Sequence, residues 1–139
     1  MRKMAQSLVL LLVAMPFMGA GFIAFSIPAD QLDAQKVFGG EPTNFEKPGE
    51  VNYEEVIRAT PEYKELKDKK VEKGTGKYWI LLSKASDRAV QAISGFGEDT
   101  EYDLITAEGY LESLNPAIPA DDVTKLIIKT MDPARKNAR

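Results

Sequence analysis

The sequence predicts an α+β fold, and three observations carry that expectation. Tyr78, Leu82, Ala85, Ala89 and Ala92 recur at spacings of 4, 3, 4 and 3, the period of a helix with one apolar seam. Tyr102–Ala107 and Tyr110–Leu114 read as two strands joined by a Glu108-Gly109 turn. Thr60-Pro61-Glu62 is a helix start, with a capping hydroxyl, a proline at the first helical position and an early acid. The expected architecture is an N-terminal signal or anchor helix, a short helical hairpin, a small antiparallel β-sheet and a C-terminal helix.

The chain has 139 residues, 18 basic and 21 acidic, with no His and no Cys. Disulfides, thiolate nucleophiles, iron–sulfur clusters and imidazole bases are excluded by composition. A formal charge of −3 argues against a nucleic-acid partner, which would need a basic face. No cofactor and no metal are expected.

Leu8 to Phe25 carries no charged side chain, and Arg2 and Lys3 precede it. This is the pattern of a secretory signal, with Ala24-Phe25-Ser26 as a small-x-small exit, or of an N-terminal membrane anchor. Both readings place the remainder outside the cytoplasm, in the periplasm or cell envelope. Setting aside residues 1–26 removes Arg2 and Lys3 and takes the formal charge from −3 to −5. Without disulfides, a small exported domain relies on its own core or shares one, so a homo-oligomer is expected.

Residues 27–50 read as a flexible linker, punctuated by Pro28, Pro42, Pro48, Gly39, Gly40 and Gly49. Residues 51–131 form the folded domain. Val51 and Tyr53 alternate as a short strand, and Val56 and Ile57 open a helix. The next helix runs from Pro61 to about Lys73, with Tyr63, Leu66 and Val71 inward and Lys64, Lys67, Lys69, Lys70 and Lys73 interleaved with acids on a solvated face. Gly74-Thr75-Gly76-Lys77 breaks it. A phosphate-binding loop would need Gly where Val71 stands and Ser or Thr where Tyr78 stands, so a helix–turn–helix corner is the better reading.

Tyr78 to Ile93 is the clearest helix, widened by Trp79, Ile80 and Leu81. Its seam of Leu82, Ala85, Ala89 and Ala92 suits either core packing or a contact between subunits. Ser94-Gly95-Phe96-Gly97 is expected to end it. The acidic run Glu98, Asp99, Glu101 and Asp103 lacks the alternating oxygens and the Gly of a calcium loop. After the two strands, Asn115-Pro116-Ala117-Ile118-Pro119 reads as an extended connector. Asp121 or Asp122 then caps a last helix with Val123, Leu126, Ile127 and Met131 on its buried face. Residues 132–139 form a basic tail with Arg135, Lys136 and Arg139. No Ser is followed three residues later by Lys, and the carboxylates fall on surface turns, so a non-enzymatic protein is expected.

Val51-Asn52-Tyr53-Glu54-Glu55-Val56-Ile57, followed by Thr60-Pro61-Glu62-Tyr63-Lys64, resembles the start of the Skp/OmpH periplasmic chaperones. Ala89-Val90-Gln91-Ala92-Ile93, Tyr102-Asp103-Leu104-Ile105 and Ala107-Glu108-Gly109-Tyr110-Leu111 look like the family's returning helix and closing hairpin. Asn115-Pro116-Ala117-Ile118 through Asp121-Asp122-Val123-Thr124-Lys125-Leu126 is similar to its ending, so the resemblance covers about residues 51–131. It implies a homotrimer with a small β-rich body whose helical hairpins enclose unfolded outer-membrane proteins. This chain differs in a much shorter hairpin, roughly 20 Å at 1.5 Å per residue, and in its acidity. The client-binding surface implied by the residues is the basic–aromatic hairpin end: Lys69, Lys70, Lys73, Lys77, Tyr78 and Trp79. The oligomer seam is Leu82, Ala85, Ala89 and Ala92. The alternative is a membrane-anchored scaffold domain that holds no clients.

Overall fold

The computed structural model of the chain describes residues 24–132. The apolar stretch 8–25, read as signal or anchor, lies almost wholly outside the described residues, as does the basic tail beyond Asp132. No helix among the described residues is long and apolar enough to cross a membrane.

Among the described residues the fold is α+β, with four α-helices and a four-stranded sheet. The strands are β1 (Val37–Gly40), β2 (Pro48–Val51), β3 (Leu104–Ala107) and β4 (Asp121–Asp122). The helices are α1 (Tyr53–Arg58), α2 (Pro61–Asp68), α3 (Gly76–Asp99) and α4 (Thr124–Thr130). Strand order is β1-β3-β2-β4, with β1 antiparallel to β3 and β2 parallel to both β3 and β4. The sheet is therefore mixed, which corrects the antiparallel expectation. A parallel β2–β3 pair needs a crossover, and α1, α2 and α3 supply it.

The expected second strand, Tyr110–Leu114, is a set of tight turns. Ser113 N–H donates to Gly109 and Tyr110 carbonyls, which curls the chain back over the sheet. Tyr110, Leu111 and Leu114 are all buried, and their i, i+1, i+4 spacing suits a helical turn better than a pleat. The following Asn115–Pro116 bond is cis.

The segment 27–50, expected as a linker, contributes a 3-10 turn at Ala34–Lys36, then β1 and β2, so it belongs to the folded body. Its prolines and glycines are strand features. Pro48 occupies the first position of β2, where a missing N–H is tolerated. Gly40 has φ +95°, and a Cβ there would stand 2.1 Å from the Asp103 carbonyl oxygen, so only glycine lets β1 approach β3 so closely. The strand also ends earlier than expected. Asn52 caps α1 by accepting from Glu55 N–H, so Tyr53 is already helical.

Two apolar clusters lie on opposite faces of the sheet. Val51 and Ile105 join Val56, Ala89, Ile93, Phe96, Val123 and Ile127 under the helices. Leu104, one residue from Ile105 and so on the other face, joins Ile27, Phe45, Tyr110, Leu111, Leu114 and Ile118 under the loops. Phe25 pairs with Phe45 through two backbone bonds, and their rings stack at 5.8 Å. Asp103 holds the loop before β2 by accepting from Glu46 and Lys47 N–H at 2.7 and 2.8 Å.

α3 passes through Ser94-Gly95-Phe96-Gly97 instead of ending there. Phe96 is buried against the sheet, and a Cβ on Gly97 would meet Ile105 at 3.4 Å. The small residue permits close packing of helix on strand, and burial of Phe96 outweighs the roughly 1 kcal/mol helix cost of each glycine.

Candidate functional site

The hairpin of α2 and α3 is built by two hydroxyl caps. Thr60, fully buried, accepts from Tyr63 N–H, and Thr75 accepts from Tyr78 N–H after Gly74 turns the chain at φ +87°. Arg88 on α3 reaches Glu62 on α2 through three hydrogen bonds of 2.6 to 2.8 Å and holds the Glu62 carboxyl below its ordinary range. Leu66 fills the space between the helices.

At the open end lies a groove of about 370 Å³. Leu66 forms its floor, Tyr63 and Tyr78 are aromatic walls, and Lys67, Lys70 and Lys73 line its rim. Lys67 sits over the Tyr63 ring at 5.6 Å. Lys70 and Lys73 make no ion pair among the described residues. Lys69 is different, because it bonds Glu65 one turn back at 2.7 Å, which holds the Glu65 carboxyl below its ordinary range. Of the six expected patch residues, Lys70, Lys73 and Tyr78 therefore meet in one groove, and Lys69 is tied up on α2.

Trp79 is 58 % exposed, with its ring edge-on to Tyr78 at 5.3 Å. Ile80 is equally exposed, so the apolar width at the start of α3 divides: Leu81 enters the core and its two predecessors face solvent. Tyr63, Lys67 and Ile80 belong to this surface, and the sequence reading had not assigned them to it. The signal was available for Lys67 and Tyr63, which lie four residues apart on one helix and so share a face.

Three of the four residues expected to form an oligomer seam lie against the chain's own core. Ala85 and Ala89 are fully buried within the chain itself, together with Leu81, Ile93 and Phe96, so they belong to its core. Leu82 and Ala92 are half-buried, and Ala92 packs against that same core. The physical reason is that α1, α2 and α4 cover this face of α3, as each packs against it.

At the C-terminal end of β2, Asn52, Glu108 and Thr124 knit the sheet end. Asn52 N–H donates to the Thr124 hydroxyl at 2.9 Å and its amide to Glu108 at 3.0 Å. Glu50 lies beside them in the central strand β2. Burial, opposed by backbone N–H bonds from Gly109 and Leu111 and reinforced by Glu112 and Glu108, raises its carboxyl above the ordinary range.

Comparison with protein-family models, curated proteins and solved structures finds no match.

Proposed function

We propose that this chain is a non-enzymatic binding module of the cell envelope that holds extended or unfolded polypeptide, outer-membrane proteins among them, at the end of the α2–α3 hairpin. One observation carries the reading. An acidic chain concentrates Lys70, Lys73 and Lys77 around Tyr78 and an exposed Trp79. Such a surface grips unfolded chain through apolar contact and cation–π attraction without demanding a sequence. The resemblance to Skp/OmpH chaperones supports the same reading. Because α2 has 8 residues, the hairpin offers one surface and no cage, so holding is transient and needs several copies per client.

The test is suppression of aggregation of an unfolded outer-membrane protein. The native chain should protect and Trp79→Ala should not, while its melting temperature stays unchanged, since truncating an exposed side chain costs within about 0.5 kcal/mol. No protection by the native chain at stoichiometric excess would overturn the reading in favour of an anchored scaffold domain.

A further inference from the structure

The turn that closes α2 is a Schellman motif. Val71 N–H donates to the Leu66 carbonyl and Lys70 N–H to the Lys67 carbonyl, each at 3.1 Å. Such a turn brings its two apolar residues together, and here Leu66 and Val71 both line the groove. It also needs left-handed backbone at residue 70, where glycine is usual. Lys70 stands there instead, at φ +49°, the one non-glycine residue with positive φ among the described residues. A lysine in this conformation lowers stability. What it adds is an ammonium group on the rim of the groove.

That ammonium is one of many at this corner. Residues 64–84 hold seven lysines and three acids, whereas the rest of the described chain holds six basic residues and 18 acids. The acids of α2 that could neutralise the groove are committed elsewhere. Glu65 bonds Lys69 at 2.7 Å and feels Lys77 and Lys84 as well, and Glu62 is held by Arg88. Asp68 and Glu72 do not line the groove. Lys67, Lys70 and Lys73 therefore surround an apolar floor of Leu66 and Val71, between the rings of Tyr63 and Tyr78, with no carboxylate among the lining residues.

We propose that this groove selects acidic, aromatic-bearing segments of polypeptide: an aromatic side chain enters between Tyr63 and Tyr78 over Leu66, and carboxylates on either side of it meet Lys67, Lys70 and Lys73. This rests on the reading that the corner holds unfolded polypeptide, and it names which stretches are taken. Both features of the segment are needed. The rings and the apolar floor gain nothing from a purely acidic chain, and the three ammonium groups repel a basic one. The acidic remainder of the molecule turns such a segment away from its other faces, so one field both excludes it there and steers it to the corner. Basic stretches are drawn to the acidic body and stay out of the groove.

Three short tryptophan-free peptides test this against the full chain in mild nonionic detergent. One carries phenylalanines flanked by aspartates, the second has lysines in place of the aspartates, and the third has alanines in place of the phenylalanines. Trp79 emission is the readout, because its ring stands against Tyr78 at 5.3 Å. The first peptide should bind about tenfold tighter than either other, and its advantage over the lysine peptide should shrink in about 0.5 M salt. Lys70→Gly and Lys73→Gln should each weaken it several-fold. Lys70→Gly should at the same time raise the melting temperature, since glycine relieves the left-handed position, so its weaker binding is not a loss of fold. The proposal is overturned if the three peptides bind alike, or if Lys70→Gly and Lys73→Gln leave the affinity for the first unchanged. An unfolded outer-membrane protein still held in that case leaves the broader reading standing; failure to hold it as well removes both.

Discussion

Glu50 is the residue whose environment works most plainly against its charge. It sits in a central strand, half-buried, with Glu108 and Glu112 nearby, and two backbone N–H groups offset only part of the burial. Its folded pKa is raised above the ordinary 4.5. A carboxyl raised on folding contributes stability that is fully present below 4.5 and is lost as pH rises through the folded value. Thermal stability should therefore increase as pH falls from neutral towards 4.5, and Glu50→Gln should flatten that slope. A slope unchanged in Glu50→Gln would show that other carboxylates dominate. The sequence did not announce this, because burial of Glu50 depends on turns at Gly109 and Leu111 that are distant along the chain. Gly40 was similarly opaque: its role is a contact with Asp103, sixty-three residues on.

Among the elements, α2 has little of its own to hold it. Its 8 residues are too few for a helix stable in isolation. Leu66, the Thr60 cap and the Glu62–Arg88 pair tie it to α3. Glu62 is lowered below its ordinary 4.5, so its stabilisation is present above that value and lost as pH falls through the lowered one. Arg88 is about half exposed, and solvent screens the pair. A double-mutant cycle of Glu62→Gln and Arg88→Met should return a coupling of about 0.5–1 kcal/mol at neutral pH, decreasing in acid and in salt. A coupling near zero at neutral pH would leave Leu66 and the cap as the whole attachment.

The helices were largely legible because their signals are local. Thr60-Pro61 fixed the start of α2, and the apolar period located α3. The cap of α4 was misread: Asp121 and Asp122 form β4 and Val123 occupies the cap position, although the Asp122 carboxylate accepts from Thr124 N–H. The end of α3 was not legible: Gly95 and Gly97 read as a break until Phe96 is seen against Ile105. β1 and β2 were hidden for the converse reason, since a proline- and glycine-rich segment becomes a strand only when a distant partner pairs with it.

At the scale of the molecule, the path of the chain explains why basic and aromatic residues gather at one end. β2 and β3 are parallel, so α1, α2 and α3 must carry the chain out and back, and the turn between α2 and α3 is left as an exposed corner. Lys70, Lys73, Tyr78 and Trp79 occupy that corner, while Glu98, Asp99 and Glu101 cluster at the returning end. The patch was legible as composition, and its division was not. Lys69 could pair with Glu65, and Trp79 could have been core, until the position of α2 against α3 decided both. The central claim is that the corner around Trp79 receives unfolded polypeptide. Trp79 is the chain's only tryptophan, so its fluorescence reports on that corner alone. Titrating an unfolded, tryptophan-free outer-membrane protein into the dilute chain should shift Trp79 emission to the blue in a saturable manner, as bound polypeptide replaces water at the ring. Emission that stays at the solvent-exposed wavelength through stoichiometric excess of the unfolded protein would contradict the account.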